Sequence, residues 1–426
     1  MPRERLFALC DANSFYASAE SVFEPRLWAT PLVVLSNNDG TVVALNAPAK
    51  ALGIQKFEPF FRIRHLVAEA GLAVRSSNFE LYGDVSRRMF DCLRQFSSRV
   101  EEYSIDEAFV ELALPLRGPV PERLALMRRT VKQWTGIPVS IGAGRTKVLA
   151  KAAAWVAKKQ PEVEGIFHLA DQQAEERVLS LLPVGEVWGI GRRWRQMLEA
   201  EGAETALHLR DLPQLWVRKR MGVVGLRTVL ELRGMSCLPL QLAPPARKSM
   251  VVSRSFGRPV ASQAELAEAV ASFTAKAAVK LRREHLSAGA LTVFAQSSAH
   301  REGEFYSRSV TATIATATNH TPTLLRCAQA LVGRVWKEGV IFTKAGVMLG
   351  GITDEGCIQL NLFDLFDPLD ERPGQLMRTV DGLNRQHGLG SVRFAAEGTA
   401  RRWRTRAAFR SNRWTTRWSE IPTAHA

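Results

Sequence analysis

The chain has 426 residues, room for about three domains, and its 46% hydrophobic and 23% charged residues are ordinary globular usage, which excludes wholesale disorder. No apolar run nears the ~18 residues of a membrane helix, and the five widely spaced cysteines, with no C-x-x-C pair, speak against a disulfide framework or a structural zinc site. The charge balance is the informative quantity. The 57 Lys and Arg against 42 Asp and Glu leave +15, which favours a polyanionic partner, usually nucleic acid, over an acidic membrane surface.

Residues 6–16 read as a buried strand running into a turn. Asp11 breaks the apolar run too early for a signal-peptide core, so a cytoplasmic location is expected. Residues 31–35 and 41–45 read as short strands either side of an Asp39-Gly40 turn. Asn46 reads as a helix cap with Pro48 in the first turn. Leu81, Val85, Met89 and Leu93, spaced by four, predict a helix over 80–97. Residues 99–112 alternate like one strand, 121–134 read as helix, 138–144 as a strand entering a Gly-containing turn, and 146–158 as a lysine-bearing helix. The pattern is one α/β domain with a small insertion at about 40–80. It turns purely helical from about 172 to 235, and Leu242-Ala243-Pro244-Pro245-Ala246 reads as a linker. A second α/β stretch follows at 250–352, with helices at 263–285 and 322–337. Residues 356–426 are weakly patterned and read as a tail.

The strongest chemical cue is three acids at strand ends: Asp11, and Asp106 with Glu107 in Tyr103-Ser104-Ile105-Asp106-Glu107-Ala108-Phe109. A carboxylate in an apolar strand is costly to bury unless it is paired or binds a metal. Oxygen-only ligands suit Mg2+. Adjacent strand residues point to opposite faces, so Asp106 and Glu107 share a site only if the strand bends or ends there. On this evidence the acids are metal ligands or solvated, salt-bridged groups. Val184–Gly191 followed by Arg192-Arg193-Trp194-Arg195 reads as a helix–hairpin–helix, whose glycines let the turn approach a DNA phosphate.

Cys10-Asp11-Ala12-Asn13-Ser14-Phe15-Tyr16-Ala17-Ser18 and the Tyr103–Phe109 motif together resemble the Y-family translesion DNA polymerases. Val34–Gly40 and Val187–Arg193 narrow the resemblance to the UmuC-like catalytic subunits of bacterial DNA polymerase V and their mobile-element relatives. It runs over essentially the whole chain. It implies an α+β multidomain right-hand polymerase: palm at 1–39 and 81–171, small fingers at 40–80, helical thumb at 172–240, linker at 241–249, α/β little finger at 250–355 and tail at 356–426. It implies error-prone, template-directed translesion synthesis in the SOS response, by two-metal nucleotidyl transfer.

By the same resemblance, Asp11, Asp106 and Glu107 are the catalytic carboxylates. With the main-chain carbonyl of Ala12 they would hold two Mg2+. Tyr16 matches the steric gate that excludes a ribose 2′-hydroxyl, and Phe15 a core aromatic. Lys50 and Lys158 (or Lys159, one register on) match triphosphate-binding positions. Leu45 and Pro48 depart from the family pattern in the fingers. Gly189, Gly191 and Arg192 in the thumb are expected to meet DNA. So are Lys248 and Arg254, and the basic residues of the 263–285 helix: Lys276, Lys280, Arg282 and Arg283.

Gln359-Leu360-Asn361-Leu362-Phe363 matches the bacterial sliding-clamp-binding peptide. Residues 398–426 hold seven Arg interleaved with Trp403, Trp414 and Trp418, a candidate dock for a UmuD′-like dimer and RecA. The expected partners are thus primer-template DNA with dNTPs, these two proteins and the clamp, and no membrane. Another two-metal palm enzyme, such as a nucleotide cyclase, would need neither the hairpin nor the clamp peptide. A non-catalytic accessory protein would tend to lose the acids.

Overall fold

The computed structural model describes residues 5–114, 118–298, 304–358, 372–388 and 390–421. Among these residues the chain forms two compact units, one within Met1–Ser36, Gly40–Pro244 and Ala408–Ala426, the other within Asn37–Asp39 and Pro245–Ala407.

The first unit begins with β1 (Arg5–Ala12), α1 (Phe15–Phe23), β2 (Leu32–Leu35), β3 (Val42–Leu45), α2 (Ala47–Ala51), α3 (Phe60–Ile63), α4 (Leu66–Glu69) and β4 (Ala73–Ser76). It continues with α5 (Phe79–Arg94), β5 (Val100–Glu102), β6 (Glu107–Ala113), α6 (Val120–Thr135), β7 (Val139–Gly144), α7 (Lys147–Lys159) and β8 (Ile166–His168). Four helices follow: α8 (Gln172–Leu181), α9 (Arg192–Ala200), α10 (Ala206–Asp211) and α11 (Gln214–Leu232).

The central sheet runs β5-β6-β1-β7-β8. β1 lies in the middle, and both its faces are apolar because both are covered. Leu6, Ala8 and Cys10 face the main core, which also holds Tyr82, Met89 and Met127 of α5 and α6. Phe7 and Leu9 face the other way, with Phe109, against Ala150 and Ala154 of α7. The Asn46 carboxamide caps α2 by accepting from the Ala49 N–H at 3.1 Å, with Pro48 in the first turn as the sequence predicts.

The alternating stretch 99–112 is two strands, not one. The Ser104 hydroxyl accepts from the Glu107 N–H at 3.1 Å and donates to Asp106 at 2.7 Å, folding a turn that separates β5 from β6. A second, three-stranded sheet runs β3-β2-β4 and pairs β2 with β4 in parallel.

The elements of the second unit are β9 (Met250–Val260), α12 (Gln263–Arg283), β10 (Leu286–Gln296), β11 (Ser307–Thr318), α13 (Thr321–Val335), β12 (Phe342–Asp354) and a further helix α14 (Arg372–His387). The strands form an antiparallel sheet in the order β11-β10-β12-β9, with α12 and α13 packed on one face.

The C-terminal stretch, expected to be weakly patterned tail, is structured over most of its described length. Besides α14, Trp403 is buried with its ring 5.3 Å from Phe273 and 6.2 Å from Phe256. Residues 409–414 pack on the first unit, where Trp414 stacks on Phe23 with ring centroids 5.0 Å apart. Single aromatic anchors and side chain–backbone bonds hold these segments, so they carry no periodicity to read. Arg282 is also corrected. It is not available to a phosphate, because it grips Asp381 of α14 through two bonds of 2.7 and 2.9 Å and donates to the Asn319 carbonyl.

Candidate active site

The pairing register of β1 and β6 sets Asp11 directly opposite Glu107, as Leu9 lies opposite Phe109 two residues earlier. With a side-chain period of two, both acids therefore share the face covered by α7. Two lysines of α7, seven residues apart and so on one side of the helix, reach down to them. Lys151 bonds Glu107 at 2.9 Å and Lys158 bonds Asp11.

Glycine permits this approach. A Cβ on Gly142 of β7 would stand 1.9 Å from the Ala154 nitrogen and 2.4 Å from the Ala153 carbonyl carbon, so the α7 backbone rests on bare strand. The sequence predicts a strand over 138–144 that enters a Gly-containing turn. Gly142 lies inside the strand, and its role is close packing.

Asp11 is nearly buried and Glu107 half-buried. Burial, and then the hydrogen bond between the two carboxyls, lift Asp11 to about 7 against the pull of Lys158. Glu107 is also penalised by burial. The bond from Asp11 and the Lys151 ammonium outweigh that penalty and hold it below the usual carboxylate range. The Lys151 and Lys158 ammonium groups thus offset the charge of two abutting carboxylates.

Asp106 stands just before β6, at the turn. Its backbone carbonyl accepts from the Ala12 N–H at 2.9 Å, and its carboxylate is engaged by Ser104. The strand begins at Glu107, so Asp106 lies outside its alternation. Among the described residues, however, no three His, Cys, Asp or Glu side chains gather as a ready metal cluster. The structure brings Asp11 and Glu107 together and leaves Asp106 on Ser104. The donor set fits a hard divalent cation by its chemistry: oxygen atoms only, from two carboxylates already in contact and a third one residue away.

Tyr16 lies in the first turn of α1, half-buried, while the neighbouring Phe15 is in the core. Its ring stacks on Tyr82 with centroids 4.5 Å apart and meets the edge of Phe79 at 5.8 Å. Burial and the charge of Asp106 push the Tyr16 phenol up, so it stays neutral near the second acid.

Lys50 is exposed at the end of α2. Gly189 adopts φ +92°, a conformation that favours glycine, in the turn before α9, and Gly191 and Arg192 are exposed at the start of that helix. In the second unit Lys248 and Arg254 are exposed, Arg254 on β9. Gln359, Leu360, Asn361, Leu362 and Phe363 lie outside the described residues.

Sequence reasoning left Lys151 out of the site. The seven-residue spacing from Lys158 was the available signal. Lys151 also lies 4.6 Å from the Tyr103 ring centroid, and the Tyr103 hydroxyl accepts from Trp188 at 2.9 Å. Through these contacts the acidic motif, α7 and the hairpin region are tied together.

Comparison with known proteins agrees with this architecture. Residues 10–155 match the impB/mucB/samB family, residues 247–362 the C-terminal domain of the same family, and residues 374–424 a domain of unknown function. The chain is 42% identical over 422 residues to Protein UmuC of Salmonella typhimurium, covering 98% of this chain and 99% of that one. It is 37% identical over 421 residues to Protein MucB of Escherichia coli, covering 98% and 99%. It is 27% identical over 399 residues to DNA polymerase IV of Desulfatibacillum aliphaticivorans, covering 92% and 97%. A solved Y-family DNA polymerase chimera superposes with TM-score 0.65 at 20% identity, over 82% of this chain and 99% of that one, which gives the right-hand Y-family fold. With similarity sustained over nearly its whole length, the chain belongs to the impB/mucB/samB family.

Proposed function

We propose that the chain is a template-directed DNA polymerase that copies past damaged bases, and that Asp11, Glu107 and Asp106 are its catalytic carboxylates. The observation that carries this reading is the Asp11–Glu107 pair beneath Lys151 and Lys158, with Tyr16 leaving the same strand end. Asp11, the main-chain carbonyl of Ala12, Asp106 and Glu107 would hold Mg2+, which when bound supplies Lewis acidity for nucleotidyl transfer.

The chain's own residues do the rest. Lys158 passes from Asp11 to an incoming triphosphate, a stronger polyanion, and Lys50 adds a second cation. Lys151 keeps Glu107 ionised. Tyr16 presents a neutral ring, held by Tyr82 and Phe79, to the sugar. Backbone N–H groups beside Gly189 and Gly191, with Arg192, Lys248 and Arg254, take DNA phosphates without reading sequence.

Similarity to UmuC supports a place in the SOS response, with a UmuD′-like dimer, RecA and the sliding clamp as partners. Primer extension across an abasic site, with Mg2+ and these partners supplied, tests the reading. Extension by this chain supports it. Intact DNA binding with no extension would leave an accessory role instead.

Two further outcomes are expected. Tyr16→Ala should lower discrimination between dNTP and rNTP by about 10²-fold, because a shape-based exclusion is lost while phosphate and base contacts remain. Single-nucleotide insertion kinetics with both sugars measure it, and unchanged discrimination would place the gate elsewhere. Deleting Gln359–Phe363 should abolish stimulation by the clamp while clamp-independent extension persists. Stimulation that survives the deletion would remove this peptide from the clamp contact.

A further inference from the structure

The segment 409–414 falls within the stretch matched only by a domain of unknown function. It is bound into the first unit at a definite place. The Ser76 hydroxyl accepts from the Phe409 N–H at 3.0 Å, and the Ser76 N–H donates to the Phe409 carbonyl at 3.0 Å. Asn78 is fully buried at the start of α5, and its side-chain amide donates to the Ser411 carbonyl, the Ser411 hydroxyl and the Asn412 carbonyl at 3.0–3.2 Å.

The innermost contact of the segment is Ser411. Its hydroxyl donates at 3.0 Å to Oε1 of Glu20, which is fully buried in α1. The same oxygen accepts from the Tyr82 hydroxyl at 2.6 Å. Tyr82 is itself fully buried, and its ring is the surface on which Tyr16 stacks, 4.5 Å away and within 14° of parallel. A continuous line of contacts therefore runs from Ser411 through Glu20 and Tyr82 to Tyr16. Oε2 of Glu20 makes no hydrogen bond, and Arg75 is 4.0 Å away, so Oε1 takes both hydroxyl bonds.

We propose that the segment 409–414 is a brace for sugar selection, and that Ser411 is a positioning residue that fixes the Tyr16 ring through Glu20 and Tyr82. The proposal rests on the reading of Tyr16 as the sugar gate. A planar ring held on a planar ring keeps its height over the nucleotide only if the lower ring cannot tilt. Tyr82 is pinned at its far end by Glu20, and Ser411 shares that anchor from the other side. Loss of the Ser411 hydroxyl leaves Glu20 one hydrogen bond short in a buried place, so it can follow Tyr82 and the gate loosens. The C-terminal domain thus contributes to substrate choice from behind the site, without touching the nucleotide.

Single-nucleotide insertion kinetics on the full-length chain, with its partners supplied, test this in wild type and in Tyr16→Ala, Ser411→Ala, Ser411→Thr and Tyr82→Phe. Ser411→Ala should lower the ratio of kcat/KM for dNTP over rNTP by about three- to tenfold, the scale of one lost hydrogen bond. The kcat/KM for dNTP should stay within about twofold. Ser411→Thr, which keeps the hydroxyl, should restore the ratio. Tyr82→Phe should loosen the gate in the same direction, and combined with Ser411→Ala should add little. A merely structural role would lower both sugars together and leave the ratio unchanged, and that outcome in Ser411→Ala and Tyr82→Phe would overturn the brace. If Tyr16→Ala itself leaves the ratio unchanged, the gate reading fails and the brace with it. If Tyr16→Ala collapses the ratio and the other two do not move it, the gate stands and the brace alone is wrong.

Discussion

Asp11→Asn is expected to reduce primer extension by at least ~10³-fold, since it removes one of two abutting carboxylates from a site that would hold Mg2+. Primer-template binding should be unchanged or slightly tighter, because one negative charge near a polyanion is gone. The same variant carries a stability signature in metal-free buffer, and its sign follows from the folded-state pKa. Asp11 is raised from 3.8 to about 7 in the fold. Its contribution to stability is fully present below pH ~4 and is lost as pH rises through about 7, because the folded state must then carry an ionised carboxylate in a buried pair. Asparagine has the shape of the protonated acid and carries no charge. At pH 8 in EDTA the variant should therefore melt higher than wild type by an amount worth a few kcal/mol, and the gap should narrow as pH falls toward 4. Adding Mg2+ should raise the wild-type melting temperature and leave the variant nearly unmoved. A variant that retains extension, or that melts lower than wild type at pH 8, would refute the pairing of Asp11 with Glu107 as a functional site.

Much of this architecture can be read from residues alone, because the fold follows hydrophobic period closely. Leu81, Val85, Met89 and Leu93 predict α5, and all four are buried. The apolar run from Leu6 to Cys10 predicts a strand covered on both faces, which is where β1 lies. The acids were visible as acids in the wrong surroundings. Their mutual placement was not, because it depends on register between β1 and β6, strands that lie far apart in the chain and share no turn. Nor does the alternating pattern mark the break at Ser104, whose hydroxyl folds the turn between β5 and β6. Lys151 escaped attention for a related reason. A lysine on a helix looks solvated until the strand beneath it is known to carry a carboxylate at the matching height.

The C-terminal stretch was least legible of all. Trp403 and Trp414 each anchor a segment of irregular backbone to a different unit, and Ser411 acts through one hydroxyl. None of these has a period. A basic, Trp-containing sequence reads equally as a docking tail for other proteins and as chain that packs on its own molecule. The packing of Trp403 and Trp414 gives those two rings an intramolecular role, while Trp418 is almost fully exposed and remains open to a partner.

Gly142→Ala should be the most damaging single methyl that can be added to the central sheet. Gly142 lies opposite Leu9 in the β1–β7 pairing, on the face that α7 covers. The added carbon would come within 1.9 Å of the Ala154 nitrogen and 2.5 Å of its Cα, and both are backbone atoms that no rotamer change can clear. Either α7 lifts or β7 bends away from β1. Overpacking against side chains costs about 1–3 kcal/mol. Against backbone the cost should reach at least ~3 kcal/mol, a loss of about 6–12 °C in melting temperature for a unit of this size. Activity should fall further than stability, because a lifted α7 carries Lys151 and Lys158 away from Glu107 and Asp11. Gly83→Ala is the matched control. Gly83 sits inside α5, and nothing lies within 4 Å of a Cβ placed there. Replacing it with the better helix former should gain about 0.5–1 kcal/mol and leave extension unchanged. Thermal melts of the two variants beside wild type decide the matter. Equal melting temperatures would mean that α7 does not rest on bare strand at Gly142, and the account of how its lysines reach the acids would fall with it.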